Sequence, residues 1–211
     1  MKGIAKLGII LAIFSAVACA SLAVVYAVTK DQIAMQDQIA LTASLKEIFP
    51  GAASFEDVTT SIQSADPDVK FSSAMLAKGT DTPLGVAVKA SGPSYGGQAV
   101  LLVGILPDKS VAGVRILELN DTPGLGANAK NAGYFVKKAE KVTFPGQFTG
   151  KLLADAFEVK KDVVAITAST ITSKALTKIV KVAADAGAAW LAGSVPAAAP
   201  AAAAAETTGG K

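Results

Sequence analysis

Thr167, Ala168, Ser169, Thr170, Ile171, Thr172 and Ser173 form a run dense in hydroxyls. Upstream, Val163 to Ile166 reads as a short buried strand, and downstream Ala175, Leu176, Ile179, Val180 and Ala183 recur at helical spacing. Thr170 therefore falls near a helix N-terminus, where unpaired backbone N–H groups and the helix dipole favour a phosphate. A phosphate esterified to Thr170 would be well placed there. The same residues also suit a plainer role, with Ser169 or Thr170 serving only as the helix N-cap.

Little else in the chain offers unaided chemistry. Among 211 residues there is no histidine, so neither a Ser-His-Asp triad nor a His-based metal site can be built. Cys19 is the single cysteine, which excludes the usual structural zinc sites and Fe–S clusters. No catalytic residue and no metal ligand is assigned. If the chain carries electrons, an organic cofactor must do so. The net charge is only +3, and the 20 Lys and Arg are dispersed without interleaved aromatics, so no nucleic-acid partner is expected. Residues Gly124 to Ala129 fit a G-x-G-x-x-A dinucleotide pattern. The strand before them belongs to a hairpin rather than a parallel βαβ unit, so the match reads as accidental.

The elements that must hold the hydroxyl run follow from pattern. From Leu7 to Thr29 no residue is charged, long enough to span a bilayer as a helix. Lys2 and Lys6 flank its start, which predicts a cytoplasmic N-terminus and an exported remainder. A cleaved signal peptide is the rival, with Ala16-Val-Ala18 as a processing site, but the apolar run exceeds a signal core. Cys19 reads as a small apolar residue within the helix rather than a lipidation site. A connecting helix is expected over 31–49, ended by Pro50 and Gly51. The stretch 52–68 is polar and mixed. Strands are expected at Lys70–Ala77, Leu84–Ala90, Ala99–Leu106 and Val111–Leu119, with a hairpin turn at Pro107–Ser110. Ala127–Glu140 reads as a short helix, whose lysines 137, 138 and 141 suit a solvated face. The helix after Thr170 should end near Trp190, and the Ala/Pro-rich residues 194–211 read as a flexible tail. The fold class is α+β, a mainly antiparallel sheet flanked by helices behind one transmembrane helix.

Two loops complete the candidate site. Thr122, Pro123, Gly124, Leu125 and Gly126 make a turn whose glycines let backbone approach a planar ligand, and Tyr95, Gly96 and Gly97 make a second. Singly each is an ordinary turn. Together with the hydroxyl run, in order and spacing, they resemble the FMN-binding family shared by the RnfG component of Rnf electron transport complexes and its counterpart in the Na+-translocating NADH:quinone reductase. The run resembles that family's Ser/Thr-Gly-Ala-Thr-x-Thr/Ser motif, with Ala168 in place of Gly, Ser169 in place of Ala and Val164 where an Asp often precedes. The loop resembles Glu-Thr-Pro-Gly-Leu-Gly, with Asp121 in place of Glu. The length of the chain favours the Rnf component.

The resemblance implies FMN joined by a phosphoester to Thr170, with Thr167, Ser169 and Thr172 on the phosphate. Tyr95, Gly96, Gly97, Thr122, Pro123, Gly124, Leu125 and Gly126 would then shape the ring pocket. It divides the chain into an anchor at 1–30, a connecting helix at 31–50, an FMN-binding domain at 51–193 and a tail at 194–211. It implies a redox component without complete turnover of its own, in a complex coupling ferredoxin and NAD to Na+ or H+ translocation. Partners would be the other membrane and redox subunits, a flavin transferase and the lipid bilayer. The location would be a bacterial or archaeal cell membrane, with the domain on the periplasmic or extracellular side. The quinone-reductase counterpart, or a non-redox membrane-anchored binding module, is the alternative.

Overall fold

The computed structural model describes residues 2–80 and 82–194. The expected tail over 195–211 lies outside the described residues. Two compact units divide between Ala43 and Ser44.

The first unit is most of helix α1, Lys2–Ile48. No break separates the apolar run from the connecting helix, so the two expected segments are one element, because nothing between Val28 and Ala34 disfavours helix. At 47 residues the helix is about 70 Å long, more than twice the roughly 30 Å bilayer core. Over residues 6–40 its side chains are exposed, Leu11, Phe14 and Leu22 among them. Two polar side chains in the apolar run are satisfied internally: Ser21 Oγ donates to Val17 O at 2.8 Å and Thr29 Oγ1 to Val25 O at 2.9 Å.

The second unit is the α+β domain. Its sheet is an antiparallel meander in the order β1-β2-β3-β4-β5: Ser54–Asp57, Lys70–Lys78, Pro83–Ser94, Gly97–Ile105 and Val111–Leu119. β2 to β5 lie where alternation predicts them. β1 pairs only with β2, and its mixed, exposed side chains carry no alternation to read. Period-2 geometry turns Val86, Val88, Ala90, Leu101, Val103 and Ile105 to one face, where helix α2, Thr170–Ser194, covers them. α2 contributes Leu176, Ile179, Val180, Ala183, Ala184 and Leu191, and burying a side chain such as Leu176 is worth roughly 1.5–3 kcal/mol. Gly187 lets α2 approach, since a Cβ there would lie 2.8 Å from Ile105 Cδ1. The helix runs one turn beyond the expected end at Trp190. On the opposite face Ile48 and Phe49 occupy the space left by Gly85 and Gly104.

After β5 the chain is largely irregular up to α2, and here two expectations fail. Ala127–Glu140 is not a helix: a 3-10 turn at Gly126–Lys130 ends where Asn131 Oδ1 accepts from Gly133 N at 2.9 Å, and β6 (Phe135–Lys137) then pairs with β7 (Val142–Thr143). Val163–Ile166 is not a strand; Val163 makes one isolated parallel bridge to Val159. Side-chain hooks replace a ladder there, with Gln147 clamping Val164 N at 2.8 Å and Val164 O at 3.2 Å. Phe148 meets Phe144 edge to face with centroids 5.6 Å apart and stacks on Phe157 at 6.1 Å.

Candidate functional site

Thr170 is the first residue of α2. The first bond closing the helix runs from Ser173 N to Ser169 O at 3.0 Å, so the N–H groups of Thr170, Ile171 and Thr172 precede it. The hydroxyls of the run divide into two sets. Ser173, fully buried, donates to Ser169 O at 2.9 Å and accepts from Ile166 N at 3.0 Å. Thr172, also buried, donates to Asp121 Oδ2 at 2.5 Å. Both therefore hold the start of α2 in place. The hydroxyls of Thr167, Ser169 and Thr170 have no hydrogen-bond partner among the described residues, and Thr170 is half-buried. Ala168, at the family's glycine position, has φ of 56°, the left-handed region that glycine occupies without a Cβ penalty.

Asp121 organises the site, and sequence reasoning noted it only as a replacement for Glu. It is 5% exposed and accepts from Gly96 N at 2.7 Å, Ser94 Oγ at 3.0 Å and the Thr172 hydroxyl. One carboxylate thereby joins the β3–β4 turn, the 120–126 loop and the first turn of α2. The glycines of both loops serve this junction. A Cβ on Gly126 would lie 2.5 Å from Asp121 Oδ2 and 2.6 Å from Thr172 Oγ1, and one on Gly96 2.3 Å from Asn120 O. Gly126 thus makes room for Asp121 rather than for a ligand. Gly124 and Gly97 are required by their positive φ of 77° and 134°. A carboxylate between the end of an apolar strand and a Thr-Pro-Gly turn is the sequence signal that marks Asp121. Tyr134 is the other residue missed, its hydroxyl accepting from Thr167 N at 3.3 Å.

The three motifs line one cleft. Tyr95, Thr122, Leu125, Gly126 and residues 168–172 enclose about 540 Å³, within the roughly 300–1,000 Å³ typical of small-molecule sites. Tyr95, Leu125 and Ile171 are 65%, 41% and 64% exposed, apolar surface suited to a flat ring. Gly96, Gly97, Pro123, Gly124 and Thr167 stand in the surrounding loops rather than on that lining. The residues fit FMN: free hydroxyls and leading N–H groups for the phosphate, aromatic and aliphatic walls for the ring.

The loop before the run is fixed electrostatically. Burial opposes ionisation of Asp162, but a 2.6 Å bond from Lys151 and bonds from the N–H groups of Glu158 and Phe157 outweigh it, holding the carboxyl at about 2. Lys178 holds Asp66 below the usual carboxylate range, and Asp68 and Asp66 in turn raise Lys178.

A family model for the FMN-binding domain matches residues 94–185, which contain every motif of the cleft, and a model for the RnfG N-terminal region matches residues 1–48. The chain is 34% identical over 194 residues to the G component of the Na+-translocating ferredoxin:NAD+ oxidoreductase complex of Acetobacterium woodii, covering 83% of this chain and 87% of that one. The chain belongs to the RnfG family. The G component of an ion-translocating oxidoreductase complex of Vibrio vulnificus is 31% identical over 193 residues, with 86% and 88% covered. The G component of a proton-translocating ferredoxin:NAD+ oxidoreductase complex of Clostridium ljungdahlii is 44% identical over 110 residues, 49% of this chain and 53% of that one. It carries an FMN-binding domain, and the one long apolar helix among its described residues, together with the membrane-complex relatives, fits a single-pass membrane protein.

Proposed function

We propose that this RnfG chain is an electron relay within an ion-translocating ferredoxin:NAD oxidoreductase, holding FMN covalently through a phosphoester to Thr170. The observation that carries the assignment is the contrast along the run: Thr172 and Ser173 are committed to internal bonds, while Thr170 presents an unpartnered hydroxyl at the helix start on the cleft wall. FMN, when bound, supplies the redox chemistry. The chain binds and orients it: Thr170 tethers it, Ser169 and Thr167 offer hydroxyls to the phosphate, and Tyr95, Leu125 and Ile171 wall the ring. Thr172 acts one step back, through Asp121. Attachment would use the Thr170 hydroxyl as the group that holds the phosphate, the flavin donor being supplied by a separate flavin transferase. A flavin transferase that supplied this chemistry would also supply the base for the hydroxyl proton, so no base is required of this chain.

The anchor at 1–30, continuing through 31–50, holds the domain 51–193 at the membrane of a bacterial or archaeal cell. Lys2 and Lys6 favour a cytoplasmic N-terminus, leaving the domain on the outer side. The uncharged span from Leu7 to Thr29 offers no intramembrane ionisable group, so ion translocation belongs to partner subunits. Relatives named for Na+ and for protons both align with the chain, which accords with an ion choice made elsewhere.

Co-expression with a flavin transferase should add one FMN to the intact mass, and peptide mapping should place it on Thr170. Thr170→Ala should lose it while folding normally, a cap hydroxyl being worth about 1 kcal/mol. Flavin on Thr167 or Thr172, or none, would refute the assignment. Protease added outside intact cells should reach the domain; protection would refute the orientation.

A further inference from the structure

Thr170 borders a second cleft that the ring site does not use. Phe157, Val159, Lys160, Lys174, Lys178 and Lys181 line about 430 Å³ on that side, together with Asp66, Glu158 and Thr170 itself. The carboxylates there all have lysine partners, two of them sharing one. Lys178 pairs with Asp66 and Asp68 at 2.9 Å each, Lys181 with Asp185 at 2.7 Å, and Glu158 with Lys161 at 3.8 Å. Lys160 and Lys174 are left, with no ion pair or side-chain hydrogen bond among the described residues, and because Lys178 serves two carboxylates the group as a whole carries one surplus positive charge beside Thr170.

Their positions are specific. Lys174 follows Thr170 by four residues on α2 and therefore shares its face. Lys160 has φ of 76°, a left-handed conformation that costs a lysine about 1–2 kcal/mol relative to the usual regions. That backbone is held by the bond from Lys160 N to Val163 O at 2.9 Å. Phe157 and Ala168, with φ of 48° and 56°, also line the two clefts, so non-glycine residues in this costly region gather around Thr170. Such clustering is characteristic of ligand sites.

We infer that Lys160 and Lys174 form the phosphate subsite for FMN, in the cleft that shares Thr170 with the ring cleft. The inference rests on the FMN reading above but not on the covalent bond. A flavin whose ring lies between Tyr95, Leu125 and Ile171 would bring its phosphate to Thr170, where the two ammonium groups supply counter-charge and hydrogen-bond donors. Neither lysine lines the ring cleft, so the pair would discriminate between flavins by their phosphate alone.

The test uses full-length protein in detergent, produced without a flavin transferase, and titrates FMN and riboflavin separately by flavin fluorescence. The unsubstituted protein should bind FMN about tenfold more tightly than riboflavin, equivalent to roughly 1.4 kcal/mol, with the preference shrinking as salt is added. Lys160→Gln with Lys174→Gln should bring the ratio near unity without changing riboflavin affinity. Lys138→Gln, which removes a charge outside the cleft, should leave the ratio intact. A preference that survives the double substitution, or no preference in the unsubstituted protein, overturns the inference. Intact mass after co-expression with a transferase separates the two readings. Flavin on Thr170 with a lysine-independent preference refutes only the subsite, whereas a lysine-dependent preference with no covalent flavin refutes only the tether.

Discussion

Removing the Asp121 carboxylate should loosen three segments at once. Asp121→Ala takes the acceptor from the buried Thr172 hydroxyl and from the partly accessible Gly96 N–H and Ser94 hydroxyl. A stranded buried donor costs about 1–3 kcal/mol, and each of the two water-reachable bonds lost costs about 0.5–1.5 kcal/mol, so the domain should lose about 4 kcal/mol. Asp121→Asn keeps the shape and can still accept from Gly96 N, but forfeits charge assistance, for a loss of about 1–2 kcal/mol. Trp190, the single tryptophan, lies on α2 and reports unfolding of full-length protein in denaturant. Hydrogen exchange supplies the local readout. Gly96 N–H should exchange faster in both variants, and more so in Asp121→Ala. A loss below about 1 kcal/mol with unchanged Gly96 protection would refute the central role given to this carboxylate.

Ala168→Gly should stabilise by up to about 1 kcal/mol in thermal unfolding, relief of the left-handed alanine (about 1–2 kcal/mol) outweighing the added chain entropy of glycine (about 0.5–1 kcal/mol); Ala186→Gly inside α2 should instead destabilise by about 1 kcal/mol. Gly126→Val should cost both flavin incorporation and stability, because its side chain enters the space of Asp121 and Thr172, while Gly124→Ala, which meets open space, should cost only its backbone angle, as paired flavin-loading and melting measurements will show. The depressed carboxyl of Asp162, about 2 against an ordinary 3.8, contributes about 2 kcal/mol that is present above pH 4 and lost as pH falls towards 2. Asp162→Asn should flatten the stability profile across that acid window.

The meander and α2 were legible because β3 and β4 are short apolar runs bounded by turn residues, buried on both faces at 85–88 and 101–105, and Leu176, Ile179, Val180 and Ala183 recur by the helical turn. Residues 120–169 lacked that signature. Their order comes from single side chains acting over distance, such as Asp162 on Phe157 and Glu158, Gln147 on Val164 and Lys151 on Asp162. A buried apolar run such as Val163–Ile166 therefore imitates a strand without a partner to ladder with. At the cleft, the hydroxyl run and both glycine turns were visible as residue types. That Asp121 joins them, and that Gly126 yields to Asp121 rather than to a ligand, depends on contacts between segments far apart in the chain.

Asp121 reaches Gly96 across 25 positions and Thr172 across 51. The cleft therefore exists only when the β3–β4 turn, the 120–126 loop and α2 have all arrived, so its population follows the folding equilibrium of the whole domain. Occupancy and folding are thermodynamically linked. A ligand present at about a hundred times its dissociation constant adds about 2.7 kcal/mol to unfolding of the domain, and that gain is felt by the sheet as much as by the loops around the cleft.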